Sequence, residues 1–389
     1  MSIEQIVQDE NKYMMHTFGR YKVAIESGKG SRAYDIDGSE YIDFTAGIGV
    51  NALGYCDEGW VNAVTAQLKK VQHISNLYYS PTQVECAKLL CQSTGLDKVF
   101  FANSGAEVNE CAIKLARKYS FDKYGQGRNE IISLKNSFHG RTMTTLSATG
   151  QEVFHQFFYP FDECFVFAEA NDIDSVSALV SDKTCAVMIE LVQGEGGVMP
   201  LDKEFVKAVE KLCSDNDLIF IIDEVQTGMG RTGSLFCFQS YGVKPDVITS
   251  SKALGGGLPL GACLCNEKLS EVLTPGTNGS TFGGNPVACA GAIEMINRID
   301  NEEFLSEVKK KGEYIAQKLK ALDEVEQVRG MGMMIGIVLK KDNAKEVASR
   351  CAQNGLLVLT AKNLIRLLPP LNIPYEDIDK GIEIFKKSI

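Results

Sequence analysis

From about residue 98 to 265, short apolar runs end in polar or glycine-rich loops, and between them apolar residues recur at helical spacing. Val99 to Ala102, Glu130 to Leu134, Cys185 to Glu190, Leu218 to Asp223 and Val247 to Thr249 are such runs. They show little alternation, so both faces of each strand should be covered, as in a mostly parallel α/β sheet. In such sheets the working residues gather at the carboxyl ends of the strands.

The last hundred residues have a different rhythm. Helical spacing at 286–299 and 302–322 leads to a strand-like stretch at Met333 to Leu339, a helix near 343–354, two strand-like pieces (Leu356 to Thr360, Leu364 to Leu368) and a closing helix after Pro374. This is the pattern of a compact α+β unit. Near the start, Arg32 to Asp35 and Tyr41 to Phe44 flank Asp37-Gly38 as a hairpin. A chain of 389 residues is long for one core, and one large domain plus a smaller one is expected.

Charge narrows the partners. A net charge of −10 argues against nucleic acid as a partner, because it repels a phosphate backbone. No apolar stretch reaches the roughly 18 to 20 residues of a membrane span, and MSIEQIVQDENK lacks the features of a secretory leader. A cytoplasmic protein is expected. Most of the 12 cysteines fall in apolar segments, as reduced core thiols do, and the C-x-C pair Cys263 and Cys265 lacks a second pair, so no metal site is expected.

Lys252 lies just beyond the run Asp246 to Thr249 and opens into Gly255-Gly256-Gly257. Apolar surroundings lower a lysine's pKa and make its amine a nucleophile toward an aldehyde. Pyridoxal phosphate is such an aldehyde, and its ring nitrogen needs an acid like Asp223 at the end of a neighbouring strand. Asn103-Ser104-Gly105-Ala106-Glu107 opens a helix over Val108 to Tyr119. Its backbone N–H groups suit a phosphate, although an ordinary N-cap reads the same way. In Ser137-Phe138-His139-Gly140-Arg141, Phe138 could stack on a flat ring and Arg141 grip a carboxylate. A core phenylalanine and a surface arginine fit equally well, and His139 reads as a supporting residue. Gly228, Gly230 and Gly233 match G-x-G-x-x-G but begin too far past the strand for dinucleotide binding. The preceding residues read better as Asp223 on a pyridine nitrogen, Val225 on one ring face and Gln226 on the phenolic oxygen.

Together SKALGGGLP around Lys252, IIDEVQTGMGRTG, NSGAE, SFHGR, VQGEGG (192–197) and GSTFGGNP (279–286) resemble the class III, or ω-, aminotransferases of pyridoxal-phosphate fold type I. The likeness runs in order from GRYKVAIESGKG to IRLLPPL (365–371). AGIGVNALG (46–54) and HISNLYY (73–79) are most similar to the acetylornithine branch. The resemblance implies a large cofactor domain (49–283), a small domain (284–389) and an N-terminal segment (1–48) joining the small one. It implies that Gly105 and Ala106 hold the cofactor phosphate, Phe138 and Val225 cover the ring, and Asp223 and Gln226 hold the pyridine. Lys252 then carries the aldehyde and moves the proton. Arg141 and Arg366 bind substrate carboxylates, and Glu195 pairs with Arg366 when the ω-amino substrate is bound. Thr281 reaches a phosphate in the other subunit, with Ser280 beside substrate, so the active unit is a homodimer.

The reaction implied is transfer of the terminal amine of N2-acetylornithine to 2-oxoglutarate. Sister donors (succinylornithine, ornithine, succinyl-diaminopimelate), an aminomutase or decarboxylase on the same scaffold, and a non-catalytic regulator are the alternatives. Two departures bear on the entrance: Gly54-Tyr55-Cys56-Asp57-Glu58 stands where the family commonly reads GHCHP, and Leu191 where it commonly has proline.

Overall fold

The computed structural model describes all 389 residues. Near the N-terminus, β1 (Ile25–Lys29), β2 (Arg32–Asp35) and β3 (Glu40–Asp43) form an antiparallel meander. The expected hairpin is β2–β3. Its turn is closed by Asp35, whose Oδ1 accepts the N–H groups of Asp37 and Ser39, and by Gly38 at φ +80°.

The central sheet takes β4 (Lys98–Ala102), β5 (Glu130–Leu134), β6 (Phe165–Ala168) and β7 (Thr184–Glu190). A short hairpin follows, β8 (Val192–Gln193) with β9 (Met199–Pro200). β10 (Ile219–Asp223), β11 (Val247–Ser250) and β12 (Gly261–Cys265) complete the central sheet in the order β4-β12-β11-β10-β7-β5-β6. β12 alone runs against its neighbours. Every residue of β7, β10 and β11 is buried, which accounts for their unbroken apolar runs.

β13 (Val325–Met331), β14 (Met334–Leu339), β16 (Leu359–Ala361) and β17 (Leu364–Leu367) form a C-terminal sheet, while β15 (Leu356–Leu357) pairs in parallel with β3. The piece expected over Leu356 to Thr360 is thus two strands in different sheets. Leu357 pairs with Asp43, Leu359 pairs with Arg366, and the chain changes sheets between them. Helices Pro286–Ile299, Glu302–Lys320, Ala344–Gln353 and Tyr375–Ser388 lie close to the expected spans. No helix is long and apolar enough to cross a membrane.

Candidate active site

Because β5, β7, β10 and β11 run parallel, their carboxyl ends open onto one edge of the sheet, and the segments that leave them carry the polar residues. Lys252 follows β11 at φ +43°, a left-handed conformation that a residue with a side chain holds only where its surroundings enforce it. Two bonds pin the turn: Ser251 Oγ donates to Leu260 O at 2.8 Å, and Trp60 Nε1 to Gly255 O at 3.1 Å. Lys252 keeps a partly exposed face, yet burial of its amine pushes the pKa below the usual lysine range. Glu195, Asp223 and Glu190 oppose that shift, and Arg366 adds to it.

Asp223 ends β10 and is 4% exposed. Its Oδ2 accepts Asn109 Nδ2–H and His139 Nδ1–H, both at 2.8 Å, and its Oδ1 accepts the Val225 N–H at 2.9 Å. Asn109 also donates to His139 O at 2.7 Å and accepts from Thr249 Oγ1 at 2.7 Å, so one asparagine joins a helix, a loop and two strands. Burial alone would lower the pKa of His139. The bond to Asp223 and the charges of Asp223 and Glu190 more than offset it, leaving the imidazole raised.

Glu190 lies in register beside Asp223 on the neighbouring strand and accepts the Phe138 N–H at 2.8 Å. Burial pushes its carboxyl well above the usual carboxylate range. Asp223 has three donors and Glu190 one, and the charge of Asp223 adds to burial in raising Glu190.

The helix over Gly105–Tyr124 starts earlier and runs longer than expected. Ser104 is its N-cap, accepting the Glu107 N–H at 3.3 Å, while Glu107 Oε2 accepts the Asn103 N–H at 2.9 Å. An α-helix leaves its first N–H groups without intrahelical partners, and with Glu107 capped those of Gly105 and Ala106 stay available to an anion. A Cβ on Gly105 would lie 2.7 Å from Val225 Cγ1, and one on Gly140 2.8 Å from Ala106 Cβ. The turn therefore abuts both Val225 and the Phe138–Arg141 loop. Phe138 is half-buried. Arg141 is exposed, its guanidinium 4.3 Å over the Phe154 ring and 5.5 Å over that of Phe138.

On β17, Arg366 Nη1 donates to Glu195 Oε1 at 2.5 Å and to Gln226 Oε1 at 3.3 Å. Its Nε is buried without a partner, leaving a donor in reserve. A side chain on Gly194 would run into Gln226, so only glycine lets the Glu195 loop approach so closely.

Lys252, Asp223, Gln226, Glu195 and Arg366 thus come together, with Gly105, Ala106, Val225 and Phe138 around them. Ser280 and Thr281 stand apart, lining an open groove of about 670 Å³. There Ser280 Oγ accepts the Gly283 N–H at 2.9 Å and Asn103 Nδ2–H at 3.3 Å, and Thr281 is exposed with no hydrogen bond in the chain. Sequence reasoning missed Asn109 and the role of Glu190. A polar residue on the buried face Val108, Cys111, Ala112 was the available signal for Asn109. The two departures are absorbed structurally. Tyr55 packs against Gly28 and Asp57 caps the helix Glu58–Leu68, bonding Arg298 at 3.4 Å, while Leu191 is fully buried.

This donor set fits pyridoxal phosphate: a helix start for a dianion, a side-chain-free approach at Gly105 against Val225, a buried acid for a pyridine nitrogen and a lysine of lowered pKa. The family described as aminotransferase class-III matches residues 13–389. The chain is 47% identical to acetylornithine aminotransferase of Haemophilus ducreyi over 100% of this chain and 99% of that one. It is 46% identical to acetylornithine aminotransferase of Caldanaerobacter subterraneus subsp. tengcongensis over 96% of each. Among solved structures it resembles N-acetylornithine aminotransferase from Stenotrophomonas maltophilia K279a, with TM-score 0.85, 33% identity and 98% of both chains covered. It also resembles ornithine aminotransferase from Toxoplasma gondii ME49, with TM-score 0.95, 28% identity, and 100% of this chain and 95% of that one covered. The match spans every segment that builds the site, and the chain belongs to the class III aminotransferases, which depend on pyridoxal phosphate.

Proposed function

We propose that this chain transfers the terminal amino group of N2-acetylornithine to 2-oxoglutarate, giving N-acetylglutamate 5-semialdehyde and glutamate, a step of arginine biosynthesis. The observation that carries the reading is the Arg366–Glu195 pair beside Lys252, because this reaction needs one site for two unlike donors. Glutamate brings an α-carboxylate for Arg366. Acetylornithine offers a terminal amine with no carboxylate beside it, and Glu195 then keeps the buried guanidinium from standing uncompensated, at a cost otherwise of several kcal/mol. Relatives at 46–47% identity bear the acetylornithine name, whereas the ornithine aminotransferase cited is 28% identical.

When bound, pyridoxal phosphate supplies an aldehyde for the amine and a ring that takes up the electrons released at the substrate carbon. Gly105 and Ala106 would hold its phosphate, Phe138 and Val225 its faces, Asp223 its ring nitrogen and Gln226 its phenolic oxygen. Lys252, whose amine burial makes less basic than an ordinary lysine's, would carry the aldehyde and would take and return the proton at the substrate's amine-bearing carbon. Asp223, its side chain fixed by three donors, would lie against the ring nitrogen and favour the proton there. Arg141 holds the distal carboxylate of either substrate.

The working unit is a homodimer in which Thr281 reaches the other copy's phosphate and Ser280 lies beside substrate. Exposed Leu77, Tyr78, Tyr79 and Phe282 near this groove support an interface there. Residues 49–283 form the large domain and 284–389, with 1–48, the small one. The chain works in the cytoplasm, where its 12 free thiols stay reduced. The test is a product balance by mass spectrometry. One glutamate should form for each acetylornithine consumed with 2-oxoglutarate, and glutamate formed from ornithine but not from acetylornithine would overturn the substrate.

A further inference from the structure

Arg231 is 2% exposed and forms no salt bridge. Its Nη1 donates to Pro369 O at 2.6 Å and to Met333 O at 3.1 Å, its own O accepts the Met333 N–H at 2.9 Å, and its Nη2 is buried without a partner. Burial pushes the guanidinium down to about 9, so it is still a cation near neutrality. A buried cation hydrogen-bonded only to carbonyls is costly even with the charge of the buried Asp43 opposing the shift, and an apolar side chain of similar volume would fill the space more cheaply.

What the arginine joins is informative. Gln226 and Arg231 lie on the segment that follows Asp223, while Arg366 and Pro369 lie on β17 and the residues just beyond it. The two segments meet twice, at Arg366–Gln226 (3.3 Å) and at Arg231–Pro369 (2.6 Å), forming a closed ring of contacts. Met333 leads into β14, where Gly336 pairs with Arg366. A third segment touches the same point. Ala46, Gly47, Ile48 and Gly49 form a left-handed turn with φ of 45°, 62°, 65° and 75°, and a Cβ on Gly49 would meet Leu368 Cδ1 at 3.6 Å and Arg231 Nε at 4.0 Å.

We propose that Arg231 is a positioning residue for Arg366: it fastens the far end of the Arg366 strand to the loop that bears Gln226, and so sets where the substrate α-carboxylate is held relative to Lys252. The inference rests on Arg366 being that carboxylate's site, as argued above, and it does not depend on which acylated amine is the donor.

The test is the half-reaction of purified holoenzyme with L-glutamate alone, followed as loss of absorbance of the aldehyde form of the cofactor, for wild type, Arg231→Met and Arg231→Lys. Cofactor affinity and melting temperature are measured alongside. Arg231→Met should bind glutamate on the order of tenfold more weakly because Arg366 is displaced, while cofactor affinity changes less than about twofold; Arg231→Lys, reaching one carbonyl, falls between. A lower melting temperature with unchanged glutamate affinity would mean that Arg231 only packs, and the proposal fails. If Arg231→Met does not fold, Arg231→Lys decides on the same criterion. Wild-type enzyme that does not react with glutamate would overturn the Arg366 reading itself.

Discussion

Glu195 and Arg366 are unequal partners: Oε1 and Nη1 lie 2.5 Å apart, but the arginine side chain is 3% exposed and the glutamate 28%. Arg366 is also held by Gln226, whereas no other side chain binds the Glu195 carboxylate. When a carboxylate arrives at Arg366, the group free to leave is Glu195, on a loop bounded by Gly194, Gly196 and Gly197. On the proposed exchange the arginine would be the fixed element and the glutamate the moving one.

Glu195→Ala should therefore leave glutamate turnover intact or faster, while kcat/KM for acetylornithine falls on the order of tenfold or more, since the buried guanidinium is left unpaired with that donor. Arg366→Leu should do the reverse, removing most glutamate activity and sparing the first half-reaction. Single-turnover half-reactions with each donor alone separate the two, and equal losses for both donors would contradict the exchange.

Asp223→Ala should cost roughly three orders of magnitude in turnover while the chain stays folded by circular dichroism, because it removes a preorganised charge. His139 adds a pH signature. Its folded pKa is raised above 6.5, so the stabilisation is full below that value and is lost as pH rises through the folded value. His139→Gln should flatten the fall in melting temperature as pH rises above 6.5.

Glu224 faces away from the site, accepting Thr227 Oγ1–H at 2.6 Å and the Phe238 N–H at 2.7 Å. Burial raises its pKa from 4.5 to about 7. That contribution to stability is full below pH 4.5 and is lost as pH rises through about 7. Glutamine does not ionise, and its Oε1 can accept the Phe238 N–H while its amide donates to Thr227 Oγ1. Glu224→Gln should match wild type near pH 5 and melt a few degrees higher near pH 8.

Gly105→Ala tests the phosphate turn. The new Cβ would press on Val225, whose branched side chain has little freedom to move, and the helix start must shift. Cofactor affinity, measured by titrating apoenzyme, should fall on the order of tenfold with little change in melting temperature.

The sequence showed most of the central sheet, because β7, β10 and β11 are covered on both faces and so read as unbroken apolar runs. It did not show β12, whose Gly261-Ala262-Cys263-Leu264-Cys265 lacks the branched and aromatic residues that mark strands, or β6, whose four residues follow the aromatic stretch Phe154–Phe161. In the site, Lys252, Asp223 and Gln226 could be singled out because they lie at or just past a strand end. Asn109 and Glu190 were not, since their part consists of contacts with Asp223 and Phe138, far away in the chain. The carbonyls that receive Arg231 have no sequence signal, because any residue supplies one.

The most direct measurement of the central claim follows the visible spectrum of the purified holoenzyme on adding N2-acetylornithine alone and then 2-oxoglutarate. The account predicts that the absorbance of the aldehyde form falls with the first addition and returns with the second, and that Lys252→Ala completes neither step catalytically. Absorbance that acetylornithine leaves unchanged, while glutamate lowers it, would contradict the assigned donor.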